Sequence, residues 1–205
     1  MTPRIEFGRK LKKACSGLPL WSFGHRIGLN EKMSLETTKS IGLAAGAVVL
    51  LDQATKKLVV GSLALHDEVV VVPGFFKLVH WGNTGAAWSL FRDRNDLLAI
   101  VSLIALLVLF LSRRHFDSHT KVGRAALGLI FGGITGNLID RLHVQHVIDF
   151  LYFFIQPRGG REFGFPAFNV ADTAICTGVG LLFLLSWRNV PAKSADPVEQ
   201  PEAKP

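Results

Sequence analysis

Apolar residues gather into four blocks along the chain, and polar or charged stretches separate the blocks. The blocks cover about 40–60, 97–112, 125–142 and 168–187. Within them the hydrophobic residues run together instead of recurring at amphipathic spacing. The last block has the ~20 residues that a helix needs to cross a hydrocarbon core of roughly 30 Å. The pattern predicts four membrane-spanning helices.

Each of the first three blocks is ambiguous when taken alone, and the first block has a second interpretation. Its uninterrupted apolar run, 41–51, has the length of a signal-peptide core. However, it follows some forty residues of polar and basic chain, and no small-residue cleavage site comes after it. We therefore interpret it as an uncleaved first span.

The connection between the first two blocks has a different pattern. Residues 68–72 and 75–81 are rich in β-branched and aromatic residues, and Pro73-Gly74 stands between them as a turn dipeptide. This pattern predicts a β-hairpin. A hairpin cannot lie bare in lipid, because its edge amides would have no hydrogen-bond partner. We expect it at the outer membrane surface, where it would cap the space enclosed by the helices.

Composition and charge agree with a multi-pass membrane protein. The chain is 49% hydrophobic, its mean hydropathy is +0.32 and its net charge is +7. Lys and Arg cluster before the first block and between the second and third blocks, which predicts that both termini are cytoplasmic. This asymmetry explains the net charge, so it gives no reason to predict a nucleic-acid partner. The clustered residues are Arg4, Arg9, Lys10, Lys12, Lys13, Arg26, Lys32 and Lys39, then Arg113, Arg114, Lys121 and Arg124.

Three regions follow from this organisation. Residues 1–39 form a basic cytoplasmic N-terminal extension, and 40–188 form one membrane domain. Residues 189–205 are dominated by Pro, Ala, Lys and Glu, a composition typical of disorder, and they form a cytoplasmic tail.

Two aspartates stand at the outer ends of apolar stretches, in His146-Val147-Ile148-Asp149-Phe150 and Phe168-Asn169-Val170-Ala171-Asp172. Hydrocarbon cannot solvate a carboxylate, so a carboxylate at membrane depth indicates a functional site. Two such groups on the same membrane side can share one proton and one water molecule. Asp149 and Asp172 are therefore candidates for the catalytic pair of an aspartic hydrolase.

Other polar groups occur within the blocks at helical spacing. Asp52 and Lys56 stand at i and i+4, and we favour an ion pair over a catalytic lysine. In the third block, Asn137, Asp140 and Arg141 share one helix face. We expect part of this polar cluster to hold helices together.

Two further patterns concern packing and orientation. Gly128, Gly132 and Gly136 recur every four residues, a spacing that lets membrane helices approach closely. Asn169 precedes Asp172 by three residues just after Pro166, so its side chain can orient Asp172 by hydrogen bonding.

Five motifs, taken in order, resemble those of lipoprotein signal peptidases, the signal peptidase II family of bacterial inner-membrane aspartic proteases. Together they cover about 40–188. The motifs are Asp52-Gln53-Ala54-Thr55-Lys56, Asn83-Thr84-Gly85-Ala86-Ala87-Trp88, Gly136-Asn137-Leu138-Ile139-Asp140-Arg141, Val147-Ile148-Asp149-Phe150 and Phe165-Pro166-Ala167-Phe168-Asn169-Val170-Ala171-Asp172.

This resemblance implies an all-α membrane protein with four transmembrane helices and a small extracytoplasmic β-element. It implies a catalytic dyad of Asp149 and Asp172 that needs no metal or cofactor. The implied substrate is a diacylglyceryl-modified prolipoprotein, cut just before the lipidated cysteine by a monomeric enzyme in contact with membrane lipids. The residues implied to bind substrate or support the dyad are Asp52, Lys56, Asn83, Asn137, Asp140, Arg141 and Asn169.

Three alternatives remain open at this point. A small proton-coupled transporter would also keep acidic groups in the membrane, although it normally has more spans, often as internal repeats. A metal site of His143, His146 and Asp149 would make the activity sensitive to chelators. A membrane scaffold without enzymatic activity would leave the acidic pair unexplained.

Overall fold

The computed structural model describes residues 35–85, 91, 93–116, 118–157 and 160–188. Most of the expected extension and all of the expected C-terminal tail lie outside these residues, and the two terminal regions stay predictions. The chain divides into two units between residues 33 and 34, and every described residue belongs to the second. In chain order the elements are α1 (Leu35–Ser62), β1 (Glu68–Val72), β2 (Phe76–Asn83), α2 (Asn95–Ser112), α3 (Lys121–His143), β3 (Val147–Ile155), β4 (Phe163–Gly164) and α4 (Val170–Arg188).

Three of the described helices are long and apolar enough to cross a membrane, namely those at 95–115, 121–143 and 170–188. The 28-residue helix α1 is not among them, because Asp52, Lys56 and Lys57 interrupt its second half. The prediction of a mainly helical membrane protein with a small antiparallel sheet is confirmed. The number of four spans stays a prediction.

Helix α3 lies between α1 and α4, and glycines allow the close approach. A Cβ atom on Gly132 would lie 2.6 Å from Val48 Cβ and 2.7 Å from the Ala45 carbonyl oxygen, both on α1. Gly128 and Gly136 meet the same helix. The predicted packing role of this glycine repeat is confirmed, since a larger side chain would force α1 and α3 apart.

The sheet has the strand order β1-β2-β3-β4, and every pairing is antiparallel. Its first two strands are the predicted hairpin, with Gly74 in the turn at a φ of 74°, a conformation that suits glycine. Strand β3 was not predicted. It pairs along β2, placing Phe76 opposite Phe153 and Trp81 opposite Asp149.

A short backbone connection joins β3 to the start of α4. The amides of Phe150 and Leu151 both donate to the Phe168 carbonyl oxygen, at 3.1 and 2.9 Å, and the Phe168 amide donates back to the Leu151 carbonyl at 3.1 Å. This bridge brings the strand that carries Asp149 against the helix start that carries Asp172.

Candidate active site

Asn169 caps the first turn of α4 and holds Asp172 there. Its Oδ1 accepts a hydrogen bond from the Asp172 amide at 2.9 Å, and its own amide donates to Asp172 Oδ2 at 3.3 Å. This reciprocal pair has the form of a capping box. The partial positive charge of a helix N-terminus also favours a carboxylate at this position. The expected hydrogen bonding between Asn169 and Asp172 is therefore present.

Asp149 lies on β3 between two amide donors and is only 3% exposed. Asn169 Nδ2 donates to Asp149 Oδ1 at 2.8 Å, and Asn83 Nδ2, at the end of β2, donates to Oδ2 at 3.0 Å. Each oxygen of the Asp149 carboxylate thus accepts one hydrogen bond from an asparagine side chain. Asp172 is half-buried, so the pair has a sheltered member and a more accessible one.

A chain of amides connects the two carboxylates. Asn137 Nδ2 donates to Asp172 Oδ1 at 2.8 Å, and Asn137 Oδ1 accepts from Asn169 Nδ2 at 3.2 Å. Lys56 Nζ also donates to Asn137 Oδ1, at 3.0 Å. Because an ammonium group can only donate, this contact fixes which end of the Asn137 amide faces Asp172.

The surroundings of Asp149 change its affinity for a proton. Burial, and then the charge of Asp172, raise the pKa of Asp149 to about 7, although the hydrogen bonds from Asn83 and Asn169 and the charge of Lys56 act in the opposite direction. Two close carboxylates do not both ionise readily. Near neutral pH the pair can therefore hold one proton, which is the state that acid–base catalysis by two carboxyl groups requires.

Beneath the pair, Lys56 joins two further carboxylates. Its ammonium lies 2.9 Å from Asp52 Oδ2 and 2.7 Å from Asp140 Oδ2, and all three side chains are almost completely buried. Asp52 Oδ1 accepts from the Ala171 amide at 3.0 Å, and Asp140 Oδ2 accepts from the Ile148 amide at 3.3 Å. The predicted Asp52–Lys56 ion pair is present, and this cluster ties α1 and α3 to both elements that carry the aspartates.

Arg141 lies at the margin of this network. Its Nη2 donates to the Gly85 carbonyl oxygen at 3.0 Å, and Asn95 Nδ2 donates to the Arg141 carbonyl at 3.0 Å. The Gly85 amide donates to Asn83 Oδ1 at 2.9 Å. Arg141 and Asn83 thus hold the start of the second motif, whose residues 86–88 lie outside the described part of the chain.

The structure therefore brings eight of the nine predicted site residues into one connected network, and Arg141 borders it. Sequence reasoning missed Gln53, whose Nε2 donates to Asp140 Oδ1 at 2.8 Å. Its place between Asp52 and Lys56 in the first motif was the available clue. Among the described residues, no group of three His, Cys, Asp or Glu side chains is arranged to hold a metal ion.

Comparison with known proteins identifies the family. The family Peptidase_A8, signal peptidase (SPase) II, matches residues 44–188. The chain belongs to the signal peptidase II family. Among its relatives, the lipoprotein signal peptidase of Symbiobacterium thermophilum is 44% identical over 145 residues, which are 71% of this chain and 91% of that protein. That of Syntrophotalea carbinolica is 40% identical over 160 residues, 77% of this chain and 96% of the relative.

Two solved structures of bacterial membrane enzymes, obtained by the in meso method at 2.3 and 1.9 Å resolution, have the same fold as this signal peptidase II member. Each is 30% identical to it, with TM-scores of 0.60 and 0.61. They cover 82% and 74% of this chain and 95% and 94% of their own. The predicted family and a protease of the inner membrane are confirmed, and the transporter alternative has no support.

Proposed function

We propose that this chain is an aspartic endopeptidase that removes signal peptides from diacylglyceryl-modified prolipoproteins, cutting just before the lipidated cysteine. The observation that carries the proposal is the amide network joining Asp149 and Asp172. Asn169 contacts both residues, and Asn137 contacts Asp172. The network holds two acidic groups, from a strand and a helix, as a single acid–base unit.

The reaction needs the two carboxyl groups in different protonation states. The ionised group takes a proton from a water molecule as the water attacks the scissile carbonyl carbon, and the protonated group donates a hydrogen bond to the carbonyl oxygen. The pair then protonates the leaving amine, and the peptide bond breaks. The raised pKa of Asp149 supports this cycle, because the pair keeps a shared proton close to neutral pH.

The position of the pair suits a lipid-anchored substrate. The site lies where α3 ends at His143 and where α4 begins at Val170, so it stands at one end of two candidate membrane spans. A substrate whose acyl chains stay in the bilayer would present its lipidated cysteine at this depth. We propose that this end faces the outer side of the membrane, because Arg113, Arg114 and Lys121 stand at the opposite end of α2 and α3.

We also propose that α1 is the fourth span. It packs along α3 through the glycine repeat, and its apolar residues Leu43 and Leu50 are 76% and 72% exposed, as expected of a surface that faces lipid. Its charged residues Asp52 and Lys56 are buried and paired with each other. Charges that are paired inside the protein can lie at membrane depth, and the exposed Lys57, near the end of α1, can extend its ammonium group to the membrane surface.

One assay tests the proposal. Purified full-length protein in detergent is offered a diacylglyceryl-modified prolipoprotein and, separately, the unmodified precursor, each with and without a metal chelator. We expect cleavage of the modified precursor alone, unaffected by the chelator. Equal cleavage of both precursors would refute the lipid requirement, and inhibition by the chelator would refute metal-independent aspartic catalysis.

A further inference from the structure

A cavity of about 580 Å³ lies between the ends of α1 and α3 and the start of β3. Gln53, Lys56 and Asp140 of the buried polar cluster line it, but neither Asp149 nor Asp172 does, so the cavity adjoins the acidic pair without including it. Its volume falls within the range of roughly 300–1,000 Å³ that small-molecule sites occupy. The lining residues that matter here are Lys56, Lys57, Val60, Ile139, Asp140 and His143.

Some polar side chains in this cavity have charged partners and others have none. Lys56 and Asp140 are buried and paired with each other at 2.7 Å. Lys57 and His143 are exposed, and within the described part of the chain neither side chain has a hydrogen-bond or ion-pair partner. The exposed rim of the cavity thus offers an unpaired ammonium group and an imidazole donor, and the buried Asp140 is held by Lys56, which also pairs with Asp52. This charge distribution suits an anionic group.

The walls of the cavity are apolar and lie at the membrane boundary. Val60, Ile139 and Val144 line it, and the neighbouring Leu58 and Leu142 are 69% and 59% exposed. The candidate span of α3 ends at His143, so Lys57 and His143 stand at the depth where lysine side chains reach for headgroups. A ligand here would have an anionic end and an apolar end.

We propose that this cavity binds a membrane phospholipid. Its phosphate would lie between Lys57 and His143, and the part of an acyl chain nearest the headgroup would lie along Val60 and Ile139. The lipid would be a bound ligand of the folded protein and not a substrate. The proposal does not depend on the acidic pair, so Asp149→Asn protein should bind the lipid as the wild type does.

Native mass spectrometry of the full-length protein in detergent tests the site. The protein is titrated with dioleoylphosphatidylglycerol, with dioleoylglycerol, which has the same chains and no phosphate, and with inorganic phosphate. We expect one tightly held phosphatidylglycerol, which neither of the other two displaces. Lys57→Gln and His143→Gln should each weaken its binding about tenfold, which corresponds to ~1.4 kcal/mol.

Lys39→Gln is the matched control, because Lys39 is an exposed lysine near the opposite end of α1. It should leave the tightly bound lipid unchanged. An equal loss of phosphatidylglycerol affinity in Lys39→Gln and Lys57→Gln would mean that any lysine attracts lipid headgroups in the same way, and it would overturn the proposal. So would binding of dioleoylglycerol as tight as that of phosphatidylglycerol, or displacement of the lipid by inorganic phosphate.

Discussion

Lys56 holds together the polar groups that lie beneath the two aspartates. It contacts Asp52, Asp140 and Asn137, all within 3.0 Å. Lys56→Met should destabilise the protein by about 3–5 kcal/mol, because it leaves two buried carboxylates without their cation. Thermal unfolding in detergent measures the loss. Lys39→Met is the control, since Lys39 is exposed and its surface ion pair with Glu36 contributes at most about 1 kcal/mol, so the unfolding temperature should stay nearly unchanged.

The acidic pair should behave as one unit in mutants. Asp149→Asn and Asp172→Asn should each lower kcat/KM for a lipid-modified precursor by about 10³-fold or more, since each removes half of a single acid–base device. Asp140→Asn should lose only part of the activity, because Asp140 contacts neither carboxylate directly. Asp96→Asn, at an exposed carboxylate in the first turn of α2, is the control. Near-normal turnover in either dyad variant would refute the assignment.

The pH dependence follows from the same pair. The proposed mechanism requires one proton on the two carboxyl groups, and the pKa of Asp149 is raised to about 7 by burial and by the charge of Asp172. Above this pH the pair loses its proton, so kcat/KM should fall by up to about tenfold per pH unit. A profile of kcat/KM from pH 5 to pH 9 measures the fall. A rate that is constant up to pH 9 would contradict the shared proton.

At the scale of residues, helical spacing made the local pairs predictable from the sequence. Asp52 with Lys56, and Asn169 with Asp172, each stand within one helical turn. Contacts between distant segments were not predictable, because they depend on how elements pack. Asp52 reaches the Ala171 amide across 119 positions, and Asn83 reaches Asp149 across 66.

At the scale of elements, the contact between α1 and α3 can be tested with a single methyl group. Gly132→Ala should lower the thermal stability, because the new Cβ would meet the Ala45 carbonyl oxygen and Val48 at less than 3 Å. Gly46→Ala is the matched control on the neighbouring helix, since nothing lies within 4 Å of its added Cβ. Equal unfolding temperatures for the two variants would show that the close approach is not needed.

The elements themselves were partly predictable. Long apolar runs indicated the helices, and the β-branched residues around Pro73-Gly74 indicated the hairpin. Strand β3 gave no recognisable pattern, because Val147 to Phe150 are all buried and the strand therefore lacks the alternation of a half-exposed one. The two-residue β4 is too short to give any pattern. The sequence thus placed Asp149 near the membrane surface without indicating that a strand carries it.

At the scale of the whole molecule, the orientation in the membrane is the main prediction to test. Reporters fused after Ser118 and after Val190 should report the cytoplasm, and a reporter inserted near Gly159 should report the outer compartment, because Lys and Arg cluster on the first side. Paired reporters, one active only in the cytoplasm and one only outside it, provide the internal control. A cytoplasmic result near Gly159 would put the acidic pair on the wrong side for this substrate.

The contact between Asp52 and the Ala171 amide also bears on the stage of synthesis at which the protein can become active. A ribosome makes α1 first and α4 last, and this hydrogen bond joins the two. Asp149 and Asp172 likewise come from a strand and a helix that are made one after the other. On the proposed mechanism, a chain that ends before α4 has Asp149 without Asp172 and is expected to hydrolyse nothing. We therefore expect proteolytic activity to begin only when the final helix is in place, and an incomplete copy left in the membrane to be inactive.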